Sequence, residues 1–140
     1  LACDLRTVAS SAKLGFNFVK LGLNPGLAAW PLARAAFGDA RARHLLMTGR
    51  FFSGQELHAW GAASELAETH EQLRERTGAL AQELAGHSRL ALRWLKAETA
   101  LSERLEPFLK LEALGQAEAF KGPELAEGLR ALRQRRAPRF

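Results

Sequence analysis

A dense cluster of turn-forming residues separates two parts of this chain that carry different patterns. Residues 20–32 read KLGLNPGLAAWPL, and Gly22, Pro25 and Gly26 favour a turn there. Pro31 suits the first turn of a following helix, where a missing N–H leaves no donor unpaired. The pattern predicts a strand-to-helix connection. It leaves a second interpretation open, because a turn before a helix start also points backbone N–H groups at an anion or oxyanion.

Short extended segments are predicted before this turn. Residues 2–10 alternate small or apolar with polar side chains, as a partly buried strand does. Residues 13–21 predict a second extended segment, with Phe16 and Phe18 available to a core. One last short strand is expected at residues 62–66.

Helices are predicted over most of the chain after the turn. The first covers residues 32–37 and ends at Gly38, and Asp39 is expected to cap the next, over residues 40–48. Ser53 and Glu56 form a capping-box pattern for a third helix. The apolar side chains expected in the core from these helices are Leu45, Leu46, Met47, Leu57 and Trp60.

The second half predicts helices with apolar stripes and no sheet. Thr69 and Ser88 are expected to cap helices over residues 70–85 and 89–106, and two more helices follow, separated by Gly122. The stripes consist of Leu73, Thr77, Leu80, Leu84, Leu90, Trp94, Ala97, Leu101, Leu105, Leu109, either Leu111 or Ala113, either Ala117 or Phe120, Leu125, Leu129 and Leu132. Such stripes must be covered, either by the first half or by another subunit.

The net charge of +5 is concentrated at one end of the chain. Residues 1–127 carry 15 basic and 15 acidic side chains, so the excess comes from Arg130, Arg133, Arg135, Arg136 and Arg139. A nucleic-acid binder usually has a broader basic face with aromatic side chains, so no nucleic-acid partner is expected. The patch indicates either one contact with an anion such as phosphate, or cations that complement a helix C-terminus.

Other residue counts exclude several classes of protein. No apolar run reaches the roughly 18–20 residues of a membrane span, and a single cysteine, Cys3, excludes an internal disulfide and fits the cytoplasm. The four histidines show no metal-ligand spacing, so no metal site is expected. The chain begins with Leu1 inside a strand-like segment, and we therefore expect it to be the later part of a longer protein.

Seven short motifs, taken in order, resemble the crotonase superfamily, the enoyl-CoA hydratase/isomerase family. They are residues 3–6 (CDLR), 12–15 (AKLG), 20–26 (KLGLNPG), 42–50 (ARHLLMTGR), 53–61 (SGQELHAWG), 127–128 (EG) and 135–140 (RRAPRF). Each motif alone occurs in many proteins, but the set of motifs in this order is specific to the family. The resemblance implies an α/β fold, a fragment of the ClpP/crotonase spiral with short strands first and a predominantly helical C-terminal region. It also implies that residues 1–66 complete the spiral core and that residues 67–140 are a helical oligomerisation region.

The resemblance further implies a substrate and an assembly. Members of the family bind acyl-CoA or acyl-carrier thioesters and stabilise an enolate with two backbone N–H groups. Coenzyme A would therefore enter as part of the substrate, with no other cofactor. Members are commonly trimers or dimers of trimers, so a homotrimer or hexamer is expected. Both oxyanion donors would lie upstream of Leu1.

Two departures from the family pattern bear on the reaction. Hydratases use two glutamates to move protons and water, and Phe18 stands where one of them falls. Gly26 stands where some isomerases carry an acid, so no residue of this chain is predicted to be catalytic. The expected chemistry is that of an isomerase or a decarboxylase-type lyase. The alternative is a non-catalytic protein that keeps the fold for binding or oligomerisation, or an inactive fragment.

The resemblance also supplies candidate binding residues. The acyl pocket would be lined by Phe18, Leu23, Pro25, Gly26 and Leu27, with Trp30 behind them. Arg135 and Arg136 are the candidates for the CoA phosphates, in this subunit or for a neighbouring one.

Overall fold

The structure is a computed structural model that describes residues 1–101 and 106–140. It divides into two compact units. The turn unit comprises residues 1–2, 13–52 and 106–140, and the strand unit comprises residues 3–12 and 53–101. In the described ranges, no helix is long and apolar enough to cross a membrane.

The turn unit contains the turn at residues 22–28, five helices and a two-stranded sheet. Its elements are β1 (Lys13–Gly15), a 3-10 helix (Asn17–Leu21), α1 (Ala29–Phe37), α2 (Asp39–Thr48), β2 (Phe51–Ser53, ending at the border of the strand unit), α3 (Glu106–Lys121) and α4 (Pro123–Arg133). Strands β1 and β2 pair with each other. The rings of Phe16, Phe37 and Phe52 form one cluster, with centroids 5.9–6.2 Å apart.

Helix α4 approaches the 3-10 helix closely through small residues. Gly128 and Ala131 are its buried residues, and a Cβ at Gly128 would lie 2.6 Å from the Leu21 backbone. Only glycine therefore allows the two backbones to come this near. The 3-10 helix ends at Gly22, whose φ of 70° is in the left-handed region.

The strand unit is built around a parallel strand pair. Its elements are β3 (Thr7–Ala9), α5 (Gly54–Ala59), β4 (Glu65–Ala67), α6 (His70–Ala85) and α7 (Arg89–Leu101). Thr7 pairs with Glu65 and Ala9 with Ala67, and Val8 between them is buried. At the start of α5 a Cβ on Gly54 would lie 1.8 Å from the Ala9 carbonyl oxygen, so the helix can dock there only with glycine.

Several local predictions are confirmed. Ser53 Oγ accepts the Glu56 N–H at 3.1 Å while the Glu56 carboxylate accepts the Ser53 N–H at 2.8 Å, which completes the capping box. Thr69 caps α6 through the Gln72 N–H at 3.2 Å. Leu45 and Leu46 are buried. These features depend on residues close in sequence, and local pattern is sufficient to predict them.

The extended segments are shorter than predicted. Residues 2–10 form a strand only over Thr7–Ala9, and residues 13–21 are extended only as far as Gly15. Asn17–Leu21 is a 3-10 helix instead, and its close packing against α4 is a tertiary contact that local alternation does not reveal. The strand predicted at residues 62–66 lies a few positions later, at Glu65–Ala67.

Helix ends and facing also differ in places. The helix after the turn begins at Ala29 rather than Leu32, and the cap of α2 is Gly38 rather than Asp39. Asp39 lies inside the helix and pairs with Arg43 at 2.7 Å. Met47, predicted in the core, is 76% exposed, and Trp60 is only half-buried.

The apolar stripes of the later helices are largely uncovered. Trp94 is 59% exposed in the strand unit, and Leu90, Leu109, Phe120, Leu129 and Leu132 are exposed as well. Ala117 is exposed too, so the single chain buries neither alternative for α3. Leu73, Leu80, Leu84 and Leu125 are half-buried. Of the helix predicted over residues 89–106, positions 102–105 lie outside the described residues. The division into residues 1–66 and 67–140 stays a prediction.

Candidate functional site

The turn at residues 22–28 connects the 3-10 helix to α1 and has an unusual backbone. Leu27 and Ala28 both have positive φ, 61° and 55°, although neither is glycine. L-residues adopt this left-handed region at a cost of about 1–2 kcal/mol each, because Cβ approaches the following carbonyl oxygen. Such a backbone persists only where its surroundings hold it in place.

Helix α3 supplies the groups that hold this turn. The Ala28 N–H donates to both carboxylate oxygens of Glu112, at 2.8 and 3.1 Å. The Gln116 side-chain amide donates to the Asn24 carbonyl oxygen. Gly26 is buried against the same helix, since a Cβ there would lie 2.7 Å from Gln116 Nε2. The turn is therefore attached to one helix face at three successive points.

The second interpretation left open for this turn, an anion in front of the helix start, is met by a group of the chain itself. An N–H at a helix N-terminus attracts negative charge, and Glu112 provides it to Ala28, the residue that caps α1. The Ala29 N–H is also occupied, by the Gly26 carbonyl oxygen at 3.2 Å.

A cavity of about 600 Å³ lies beside the turn, within the turn unit. Val19, Leu23 and Asn24 form one wall, and Ala119 with the two carboxylates Glu118 and Glu124 belongs to the other. Its volume lies within the range of small-molecule sites, whereas its two carboxylates make the lining more polar than is usual for such sites.

The predicted acyl-pocket residues all lie on one continuous segment. Phe18 is half-buried on the 3-10 helix, where its carbonyl oxygen accepts the Leu23 N–H at 3.0 Å. Leu23 lines the cavity, whereas Leu27 projects from the turn with 86% of its surface exposed. The other three sit around the turn: Pro25 is half-buried, Gly26 is buried and Trp30 is half-buried.

Trp30 has a cationic neighbour. The Arg43 guanidinium lies 4.8 Å from the centroid of its ring, a cation–π geometry. The contact links the first turn of α1 to α2 and gives Trp30 a structural role in the turn unit.

The two predicted phosphate-binding arginines lie in different environments. The Arg136 guanidinium bonds both oxygens of Glu127, at 2.7 and 3.2 Å, and the Arg139 N–H adds a third bond at 2.9 Å. This hydrogen bonding, led by Arg136, lowers the pKa of Glu127 to about 2. Arg135 is exposed, has a φ of 52°, and forms no ion pair with any residue in the described ranges.

Sequence reasoning missed Glu112 and Gln116, and it placed Glu127 in a family motif without giving it a role. Glu112 and Gln116 share one face of a helix, but their partners are 84 and 92 residues away in sequence. Helix α3 was expected to turn apolar residues inward, and no local signal shows that this face meets a turn. No metal-binding group of three or more His, Cys, Asp or Glu side chains occurs within the described ranges.

Comparison with known proteins gives a consistent result over the full chain. Residues 1–140 match the family model for enoyl-CoA hydratase/isomerase. A Thermus thermophilus protein provisionally named an enoyl-CoA hydratase is 37% identical over 143 residues, which cover 100% of this chain and 55% of that protein. The human enoyl-CoA hydratase domain-containing protein 2, mitochondrial, is 32% identical over 145 residues, covering 100% of this chain and 50% of its own length.

Solved structures agree. An enoyl-CoA hydratase from Mycobacterium avium subsp. paratuberculosis superposes with a TM-score of 0.87 at 31% identity, over 99% of this chain and 57% of that one. The chain thus spans about half the length of the relatives it matches. The superposition confirms the predicted α/β fold class.

Proposed function

Because the chain belongs to the enoyl-CoA hydratase/isomerase family, we propose that its turn unit contacts the acyl group of an acyl-CoA or acyl-carrier thioester. The observation that carries this proposal is the turn at residues 22–28, which Glu112 and Gln116 hold in place beside a cavity of about 600 Å³. Leu23 lines that cavity, and Leu27, four residues further along the turn, is exposed, so apolar surface is available to an acyl chain. Coenzyme A belongs to the substrate in this proposal, and no separate cofactor takes part.

The proposed reaction passes through a thioester enolate. Hydration by two glutamates is disfavoured, because Phe18 stands where one of the glutamates is expected. A phenyl ring can neither donate nor accept a proton. Residues 18–30 contain a single ionisable side chain, Lys20. Isomerisation or decarboxylation places fewer demands on paired acids, and we prefer these reactions for the full-length protein.

Acyl binding is tested by calorimetric titration of the full-length protein with octanoyl-CoA and with free CoA. The substitution Leu23→Ala should weaken octanoyl-CoA binding roughly tenfold, since burying an apolar side chain contributes about 1.5 kcal/mol or more. Free CoA affinity should not change. Leu114→Ala removes a 70% exposed leucine of the same unit and serves as the control. Equal loss for both ligands, or none, would contradict an acyl-contacting role.

The reaction is tested with a panel of enoyl-, β-hydroxyacyl- and carboxyacyl-CoA thioesters. Turnover of a carboxyacyl thioester or migration of a double bond is expected. Rapid hydration of a short enoyl-CoA would refute the argument from Phe18.

A non-catalytic binding protein is the second candidate. The observation that favours it is the absence of an acid from residues 18–30. Binding of octanoyl-CoA without turnover of any thioester in the panel would establish this alternative.

The CoA phosphates are proposed to meet Arg135 and Arg136, in the same or a neighbouring subunit. The two side chains differ in availability, because Arg136 already bonds Glu127 whereas Arg135 extends into solvent. Arg135 is the better placed of the two for an incoming phosphate.

A homotrimer or hexamer is also proposed. Exposed apolar side chains on α7 and α4 support it, in particular Trp94 and Leu132, each about 60% exposed in the single chain. Analytical ultracentrifugation of the full-length protein tests the assembly, and a monomer at all concentrations would reject it.

A further inference from the structure

Glu112 makes an interaction that a structural capping role does not fully explain. A helix start normally needs a small polar side chain from its own cap, yet the cap of α1 is Ala28, which has none. The missing acceptor arrives from α3, 84 residues later, and it is charged. Its two oxygens both lie within hydrogen-bond distance of a single N–H.

The bonded residue, Ala28, is also one of the two non-glycine residues of the turn with positive φ. Ala28 and Leu27 are consecutive left-handed residues, and without a restraint such residues relax to negative φ. The side chain most affected by relaxation is that of Leu27, which the present backbone leaves 86% exposed rather than packed on the core. Whatever fixes Ala28 therefore fixes where Leu27 projects.

We propose that Glu112 is a positioning residue for acyl recognition: its carboxylate holds Ala28 left-handed and so keeps Leu27 projecting from the turn towards the acyl chain. The inference rests on the proposed function of the turn. Glu112 touches no substrate in this account and acts through the backbone. Gln116 supports it one helical turn further along α3, where it fixes Asn24.

The charge of Glu112 is not essential to this role, but its acceptor oxygen is. Glu112→Gln keeps an oxygen that can receive the Ala28 N–H, whereas Glu112→Ala removes it. Ala28→Gly lowers the cost of the left-handed backbone, because glycine lacks the Cβ that causes it. The two substitutions should therefore interact.

The test compares octanoyl-CoA and free CoA affinities in the full-length protein and its variants. Glu112→Ala should weaken octanoyl-CoA binding roughly five- to tenfold, the ratio that corresponds to one unsupported left-handed alanine, and leave free CoA within about twofold. Glu112→Gln should stay within about threefold of the parent for both ligands. Adding Ala28→Gly to Glu112→Ala should recover most of the lost affinity. A merely destabilised protein would lose affinity for both ligands alike.

A second measurement separates the hydrogen bond from the function. The Ala28 amide proton should resonate downfield and exchange slowly in the parent, and both signatures should disappear in Glu112→Ala. An unchanged Ala28 amide would overturn the positioning role, whatever the affinities. If the parent binds neither octanoyl-CoA nor CoA, the proposed function fails, and the acyl-recognition role of Glu112 is rejected with it even where the amide signal responds. Equal weakening of both ligands in Glu112→Ala would overturn the inference while leaving the proposed function intact.

Discussion

The backbone N–H of Ala28 donates to both carboxylate oxygens of Glu112, which lies 84 residues later in the chain. Around this contact an alanine and a leucine hold a backbone shape that usually belongs to glycine. The cost of the left-handed backbone falls on Leu27 and Ala28. The side chain of Leu27 is exposed, whereas that of Ala28 is buried. That difference leads to the first prediction.

Leu27→Gly should stabilise the protein by about 0.5–1 kcal/mol, because relief of the left-handed strain exceeds the extra chain entropy of glycine. The 86% exposed leucine loses little burial when it is removed. Ala28→Gly should be nearly neutral, since the gain is offset by loss of a buried methyl group. Urea denaturation of the two variants checks the contrast, and a strongly destabilised Leu27→Gly would show that the turn is not strained.

Replacing Gly54 or Gly78 with alanine should change the stability of the protein in opposite directions. Gly54→Ala places a Cβ 1.8 Å from the Ala9 carbonyl oxygen, so we expect a loss of about 3 kcal/mol or more. Gly78 lies inside α6 with open space around it, and Gly78→Ala should add about 1 kcal/mol through helix propensity. Melting temperatures of the two variants provide the measurement, and each is the control for the other. A tolerated Gly54→Ala would contradict the docking of α5 on β3.

Stability should fall in acid through Glu127. The pKa of this carboxyl is about 2 in the folded chain, below its usual 4.5, mainly because it accepts hydrogen bonds from Arg136. A lowered pKa stabilises the fold above pH 4.5, and this contribution is lost as the pH falls from 4.5 towards 2. Urea midpoints measured from pH 7 to pH 2 should show a shallower decline for Glu127→Gln than for the parent. If Glu127→Gln left this slope unchanged, the arginine contacts would not persist in solution.

Substitution of Arg135 should affect CoA binding, whereas substitution of Arg136 should affect stability. Arg135→Ala should weaken CoA binding roughly two- to fivefold in low salt and less in high salt, as expected for one exposed charge contact, with no loss of stability. Arg136→Ala should lower the melting temperature, because it leaves Glu127 without its main partner. Arg133→Ala removes the same charge from the last turn of α4 and controls for net charge. Identical CoA affinity in all three variants would remove these arginines from the phosphate site.

The predictable part of this structure is the part determined by neighbours in sequence. The capping box of Ser53 and Glu56 and the turn at Gly22 need only residues within a few positions, and local chemistry predicts them. The ordered motifs identify the crotonase-like fold, which the family match and the superposed structures confirm.

The missed features depend on distant partners. Asn17–Leu21 becomes a 3-10 helix where it packs against Gly128, and no pattern within that segment predicts such a neighbour. Helix α3 turns Glu112 and Gln116 inward because a turn backbone with open donors and acceptors lies there. Apolar periodicity left open whether the later stripes are covered by the first half or by another subunit, and Leu129 and Leu132 are exposed in the single chain.

The parallel pairing of β3 with β4 also has a consequence during synthesis. Thr7 and Glu65 are 58 residues apart, so β3 leaves the ribosome long before its partner. At translation rates of about 5–20 residues per second, the delay is roughly 3–12 seconds. For that interval Val8 lacks Leu66, the residue that faces it across the strand pair. The core of the strand unit around β3 is therefore completed only after β4 has been synthesised.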